Sequence, residues 1–358
     1  MILSLSKHAF GSLRSFRLKP RGGHACSSVG FPRISGADTN LKSGCSMTHC
    51  FGIKARLRAV FVNMPIPALI GGPVTIVVAA QDGIPGYAVM IFVVMAFATG
   101  LGTTLGFHRL FSHRSFATSD PVEWLLMVLG CMAGQNSPFY WVATHRTHHA
   151  HSDHDGDPHS PYVWAGRRLR LLPGFWHSYF GWLLDSAYDY PKSMVKDLAG
   201  RPGLVWIDRH WFGLYLAGLA IPAFVGLIIG GTAYDAFIGF LWGGPFRQFV
   251  ALQITFAVNS ICHLWGTRPY ATADGSRNNL FLGVIAFGDG WHNNHHAFPY
   301  SARHGFHWWQ PDLTWSVIRL MECAGLVWQV KRPNFLQPSM SQDGGNRPSA
   351  GEPSDLRR

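Results

Sequence analysis

Three short segments of this chain concentrate imidazole side chains at spacings suited to metal binding. His108 and His113 sit in HRLFSH, His145, His148 and His149 in HRTHH, and His292, His295 and His296 in HNNHH. On an α-helix, offsets of three and four residues place side chains on one face, so the second and third segments can each aim three imidazoles into one volume. The first differs: an offset of five turns through about 500° at 3.6 residues per turn, and this pair is expected to straddle a frayed helix end. Eight imidazoles exceed the four ligands of a tetrahedral zinc site and suit two octahedral metals. With no thiolate among them, the ligand type fits Fe, Zn, Cu or Ni. The chain has no HExxH with its general-base Glu and no ExxH of the soluble di-iron bundles, and its six cysteines show no CxxC spacing. His177, His210, His304 and His307, each outside these segments, are expected in interfacial or hydrogen-bonding roles.

The elements that must position these histidines are read from composition and apolar runs. Of the 358 residues only 14% are charged, while 47% are hydrophobic, a balance typical of membrane chains. Pro85 to Phe107 runs 23 residues without a charge, enough to cross about 30 Å of hydrocarbon. Ile66 to Ala80 precedes it across a short Gln81-Asp82-Gly83 connection, and Trp211 to Gly231 and Ala236 to Val258 form a second pair. The last of these is compromised by Gly243-Gly244-Pro245 and by Arg247, a charge costing at least ~2.5 kcal/mol in a span unless it snorkels or is partnered; a kinked helix is expected there. Val122 to Gly134 is too short to span and reads as an interfacial or buried helix. With the second span ending near Phe107, the next pair of spans returns the chain to the side of His108, so His263 and everything after it share that compartment. Sixteen of the nineteen histidines fall in these two same-side blocks. Lys and Arg between the span pairs favour the cytoplasm or its organelle equivalent for that side. The fold class is therefore an all-α integral membrane protein, with about four transmembrane helices and a same-side helical cap that holds the histidine site.

The formal net charge of +11 invites a nucleic-acid reading, but its distribution argues against one. Residues 1–58 hold ten basic residues against the single acid Asp38, whereas the other 300 hold twenty basic and eighteen acidic groups. The leader 1–58, rich in Ser and Gly, has the composition of a transit segment or of a wrongly extended start before Met47 or Met64. A polar, Pro/Gly/Ser-rich tail at 337–358 is expected to be disordered, leaving residues 65–335 as the working domain.

In order and in surrounding text, the three histidine segments resemble the integral-membrane fatty-acid desaturases of the delta-9 type, in the branch found in cyanobacteria, bacteria and plant plastids. The resemblance extends through His151-Ser152-Asp153 and Asp157-Pro158-His159-Ser160-Pro161, GDGWHNNHHAFPYSARHG at 288–305, and Trp308-Trp309. It implies a ninth ligand, His263, in Asn259-Ser260-Ile261-Cys262-His263, with Asn259 binding a metal through water. It also implies two irons, and O2-dependent formation of a cis double bond, delta-9, in a saturated C16/C18 acyl chain carried on CoA or a glycerolipid. Neutral ligands leave the metals' charge uncompensated, so Asp155, Asp157 and Asp289 are candidates to orient imidazole N–H groups. Trp141 is a candidate for lining an acyl tunnel, and the small residues of Ala96 to Gly106 for leaving room at its end. Neither a haem-binding HPGG nor a GxGxxG segment occurs, so the electron donor is expected to be a separate ferredoxin or cytochrome b5. Arg167, Arg168 and Arg170 are candidates for docking that acidic donor or anionic headgroups. The location implied is a bacterial inner membrane or a plastid membrane, with the catalytic side cytoplasmic or stromal. A membrane hydroxylase of the same superfamily, and a histidine-rich metal-binding or transport protein, are the competing readings; transporters place ligands at mid-membrane, whereas these histidines lie outside the spans.

Overall fold

The computed structural model describes residues 66–185 and 190–335; the basic leader 1–58 and the tail 337–358 lie outside the described residues. The described chain is mostly helical. Helix α1 (Ile66–Asp82) and helix α2 (Gly86–Ser112) are joined by a tight turn at Gly83. Helix α3 (Asp120–Met132) begins with Asp120 and Glu123 in its first turn, where the helix dipole favours carboxylates. Helix α4 (Pro138–His151) has Pro138 in its first turn, and the Ser137 hydroxyl accepts from Tyr140 N, a standard helix start. After α5 (Leu171–Trp176) and α6 (Pro202–Arg209) come α7 (Trp211–Gly230) and α8 (Ala233–Leu241). These two meet at a tight turn made by Gly231, at φ 83°, and by a capping box between Thr232 and Asp235. A π-wound turn, Trp242–Phe246, leads into α9 (Arg247–Leu264); α10 (Leu280–Ile285), α11 (His292–Ala297) and α12 (Leu313–Cys323) follow. Two minimal antiparallel ladders, Ala117–Thr118 with Val327–Trp328 and Val163–Trp164 with Arg167–Arg168, tie down loops of the cap.

Among the described residues two helices, α2 and α7, are long and apolar enough to cross a membrane. Their outward side chains are hydrophobic: Val94 on α2 and Phe224 and Ile228 on α7 are 59%, 64% and 67% exposed, which water would penalise and hydrocarbon does not. Of the other two expected spans, α1 is a 17-residue apolar helix, and the fourth is divided into α8 and α9 by the π-wound turn at Gly243, Gly244 and Pro245. The thirteen-residue run expected to be interfacial or buried is α3, which packs against α2 so closely that a Cβ on Gly102 would meet Gly130 N at 2.3 Å. The main core lies at this junction, around Leu105, Phe107, Met127 and Val142.

Sequence spacing places His108 and His113 on different faces of an α-helix, and the structure overturns this. The last eleven residues of α2, Gly102–Ser112, are π-wound, and His113 N donates to His108 O at 3.2 Å. A π-helix bonds residue i to i+5, so the wider turn brings the offset-five pair together, with ring centroids 5.0 Å apart.

Arg247 is 1% exposed. Its guanidinium donates to Gly243 O at 2.7 Å, to Thr99 Oγ1 at 2.7 Å and to Met132 O at 2.9 Å, so one side chain pins α2, the C-terminus of α3 and the start of α9. Met132 O belongs to the electronegative end of α3, which supplies part of the missing counter-charge. Replacing Arg247 by Met leaves the Met132 carbonyl unpaired in an apolar interior, at about 1–3 kcal/mol for each acceptor stranded. The purified protein is expected to melt at a lower temperature in detergent, with Arg247→Lys intermediate; melting of Arg247→Met at the wild-type temperature would show that the clamp adds no stability.

Candidate metal centre

The ends of α2, α4, α9 and α11 converge on one volume and bring all nine histidines singled out in the sequence into two adjoining clusters. His108, His113, His145, His149 and His295 form one, and His148, His263, His292 and His296 the other; within each, the nearest ring nitrogens lie within 4.8 Å of one another. Three Nε2–Nε2 separations in the first cluster are 3.1 Å (His108–His295), 2.8 Å (His113–His145) and 2.9 Å (His149–His295), and His263–His292 in the second is 3.0 Å. Metal–nitrogen bonds of about 2.1 Å put neighbouring ligands about 3.0 Å apart in an octahedron and about 3.4 Å apart in a tetrahedron, so these spacings match octahedral edges. The clusters adjoin through His149 and His296, whose ring centroids are 4.5 Å apart.

Carboxylates fix the rings. Asp289 Oδ2 accepts from His108 Nδ1 at 2.9 Å, Asp157 from His148 Nδ1 at 3.0 Å, Asp153 from His263 Nδ1 at 2.8 Å and Asp274 from His296 Nδ1 at 2.7 Å. A ring that donates from Nδ1 carries its lone pair on Nε2, and the buried Nε2 atoms of His148 and His296 have no hydrogen-bond partner. Such orphaned acceptors at the centre of a histidine cluster fit a cation. Burial alone would raise Asp157, Asp274 and Asp289, but the facing rings of His148, His296 and His108 bring each carboxyl well below its usual range. Burial, followed by repulsion from neighbouring imidazoles, holds His113, His145, His149, His292 and His295 well below the ordinary histidine value. These rings are therefore neutral at pH 7, the form in which they ligate metal.

The other residues singled out in the sequence are placed as follows. Asn259 borders the cavity beside the second cluster, together with His148 and His292. Asp155 is exposed and accepts from Gly166 N at 2.8 Å, so it buttresses the Val163–Arg168 hairpin and makes no bond to a clustered histidine. Arg167 and Arg168 are exposed on that hairpin, and Arg170 precedes α5; none borders the cavity. His210 stacks on Trp206 and His307 on Trp309, and His177 is buried against Trp164, while His304 is drawn into the centre. The His304 ring lies 4.5 Å from His295, and its Nδ1 lies 3.2 Å from both Asp289 and Arg109. Burial, then the Arg109 charge, pushes His304 down to about 4.

Sequence reasoning missed Asp153 and Asp274 as carboxylate partners. Asp153 lies next to the second histidine segment, where its proximity was a usable signal; Asp274 lies in a loop 22 residues before His296 and carries none. It also missed Arg109, which is fully buried and bonds Ala302 O, Asp289 and Asp312.

A partly open cavity of about 380 Å3 leads away from the histidines between α2 and α9. His108, His145, His148 and His292 border one end; Phe92, Ala96, Thr99 and Arg247 border the other. Asn259 and Arg247 are twelve residues apart on α9, about 18 Å at 1.5 Å per residue. Ala96, Gly100, Thr103 and Thr104 leave space along α2. Trp141 borders the cavity near the metal end, stacked on His145 at 5.1 Å. Its Nε1 donates to Gln135 Oε1 at 3.0 Å, and Gln135 Nε2 donates to Thr255 Oγ1 at 3.0 Å.

The sequence pattern of the fatty acid desaturase family matches residues 85–327. A probable chloroplastic lipid desaturase of Arabidopsis thaliana is 38% identical over 70% of this chain and 65% of its own length, so the chain spans just under two thirds of that relative. An sn-1 stearoyl-lipid 9-desaturase of Anabaena variabilis is 40% identical over 65% of this chain and 79% of its own. A delta-9 acyl-lipid desaturase of Arabidopsis thaliana is 38% identical over 66% and 73%. With its paired histidine clusters opening on an apolar cavity, the chain belongs to the fatty acid desaturase family of oxidoreductases.

Proposed function

We infer that the protein is a multi-pass membrane enzyme that introduces a cis double bond at the 9 position of a saturated C16/C18 acyl chain carried on a glycerolipid. The observation that carries this reading is a cavity, apolar along most of its length, that begins at the two histidine clusters and runs between membrane helices. The names of the Anabaena and Arabidopsis relatives support the lipid carrier and the 9 position. The nine clustered histidines would hold two irons, with Asn259 reaching one through water; bound there, they would supply the activation of O2 needed to remove hydrogen from unactivated methylenes. Overall, two hydrogens leave the chain, a donor supplies two electrons, and O2 with two protons becomes two waters. The catalytic side faces the cytoplasm or stroma.

The protein's own groups provide position. An alkyl chain offers nothing to hydrogen-bond, so regiochemistry depends on holding one pair of methylenes against the metal end. The indole of Trp141, fixed by Gln135 and through it by Thr255, forms the wall at that point. Phe92, Ala96, Thr99 and Arg247 bound the far end of the space available to the methyl terminus. Asp153, Asp157, Asp274 and Asp289 hold the rings in the tautomer that presents Nε2.

Expression in a desaturase-deficient host, with chromatography of double-bond positions, tests the activity: 9-monounsaturated chains are expected, and hydroxylated chains would overturn it. His145→Ala, His148→Ala and His292→Ala are each expected to abolish the product while the protein still inserts. Asp274→Ala leaves His296 able to ligate but removes the acceptor that orients it, so iron retention during dialysis against a chelator is expected to weaken about 10–100-fold; retention equal to wild type would remove Asp274 from the centre. Gln135→Leu frees the Trp141 indole and is expected to yield a mixture of double-bond positions, whereas a single unchanged position would show that Trp141 is held by packing alone.

A further inference from the structure

A second opening reaches the five-histidine cluster without sharing any lining residue with the acyl cavity. It is a wide groove of about 720 Å3, with Ser112 and His113 at its floor and Arg114, Arg146, Lys196 and Lys331 around it. Asp197 is the one acid in this lining. Its carboxylate bonds both Arg146 Nη1 and Arg114 Nη2 at 2.8 Å, so the groove keeps a net positive charge. Lys196 and Lys331 are exposed, and the Arg114 side chain is 63% exposed. Arg146 is held more deeply, donating also to the carbonyls of Phe111, Ser112 and Met194, and thereby fastens the end of α2 to α4.

The floor gives the groove its significance. His113 Nε2 lies 2.8 Å from His145 Nε2 inside the cluster, yet His113 also borders the groove. The next residue, Arg114, has φ 50°, a left-handed backbone that costs a non-glycine residue of order 1 kcal/mol. That turn sends consecutive side chains in opposite directions, the imidazole into the cluster and the guanidinium into solvent. Electron transfer falls steeply with distance, and here a basic surface lies directly over a clustered histidine. The acyl cavity meets the cluster elsewhere, at His108 and His145.

We propose that this groove is the docking site of the electron donor, a small acidic one-electron redox protein carrying an iron–sulfur cluster or a haem, and that His113 is the side chain of the centre nearest the donor's redox group. The assignment rests on the desaturase reading and moves donor docking from Arg167, Arg168 and Arg170, which border neither opening. Each docking oxidises one donor by one electron. Two dockings supply two electrons per double bond, and the two taken from the acyl chain complete the reduction of O2 to two waters. Complementary charge at such a surface acts chiefly on the association rate and makes it dependent on ionic strength.

The test uses the full chain, loaded with iron, in nanodiscs of neutral lipid, and measures binding of a plant-type ferredoxin and of cytochrome b5 across a salt series. The triple variant Arg114→Gln/Lys196→Gln/Lys331→Gln is expected to weaken binding of the preferred donor about tenfold or more and to flatten its salt dependence. The triple variant Arg167→Gln/Arg168→Gln/Arg170→Gln is expected to bind that donor as the wild type does. Iron content and melting temperature report whether each variant is folded. Unchanged binding by the groove variant, equal loss in the hairpin variant, or binding of neither donor by the wild type overturns the proposal. So does a groove variant that loses only its affinity for phosphatidylglycerol vesicles, which would make the occupant a lipid surface. Failure of the desaturase reading shows separately, as absence of a double bond when wild-type protein and substrate are supplied with O2 and chemically reduced donor.

Discussion

The structure depends on a mutual repulsion that it holds in place. Nine imidazoles converge on two small volumes, and in the rings of His148 and His296 the Nδ1 proton is committed to Asp157 and Asp274, leaving Nε2 lone pairs buried and unmatched. Lone pairs gathered in this way are unfavourable until a cation lies between them. Neighbouring nitrogens at 2.8 to 3.1 Å lie at the separation that an octahedral cation requires. A pair of divalent cations there would bring four positive charges, and four aspartates, 153, 157, 274 and 289, stand behind the rings to meet them. Arg109 and Asp312 bond to each other and leave that balance unchanged.

Holding such a centre sets the demands on the helices. The metal end of the cavity and its far end are built on the same two elements, since α2 runs from Phe92 to His108 and α9 from Arg247 to His263. On the proposed reading, distance along these helices is therefore distance along the acyl chain. Because the π-winding of α2 is confined to Gly102–Ser112, it alters the register of His108 and His113 without moving Phe92 or Ala96. The clamp of Arg247 on Thr99 and Met132 O joins α2 to α9 at the far end, while the histidines join them at the near end. The space between is fixed at both ends, as a measure of chain position must be.

Much of this was legible in the residues, for stated reasons. Offsets of three and four in HRTHH and HNNHH report one helical face, and those histidines do converge, though each segment divides its rings between the two clusters; so does the pair in HRLFSH, whose spacing argued only against a shared α-helical face. An α-helical periodicity cannot show that a helix changes its winding, and the bond from His113 N–H to His108 O, five residues back, leaves no compositional mark. His263 was legible only through resemblance, because a single histidine in an apolar helix has no partner in sequence. Asp153 and Asp274 were missed because their relation to His263 and His296 is made by loop closure, over 110 and 22 residues. Asp155 was included as a carboxylate near the second histidine segment, but two residues before Asp157 the chain is irregular and exposed, and its carboxylate accepts from Gly166 N of the hairpin. The apolar runs identified helices correctly, whereas whether the divided run α8–α9 crosses the bilayer depends on how Arg247 is partnered, which only the tertiary contacts of Thr99 and Met132 reveal.

A centre of this kind has to admit two very different reagents while excluding bulk water. On the proposed reading the substrate is apolar and long, and its route is the cavity lined by Trp141 and Thr255. On the same reading a protein donor is polar and would not enter that route, so its electrons would arrive through a ligand whose other side faces solvent. Among the described histidines of the first cluster, His108 and His295 are buried while His113, His145 and His149 are partly exposed. His145 borders the acyl cavity and His113 the basic groove. The two partly exposed rings lie 2.8 Å apart at Nε2 and face different openings, so one cluster can receive electrons on one side and an alkyl chain on the other without a shared passage for water.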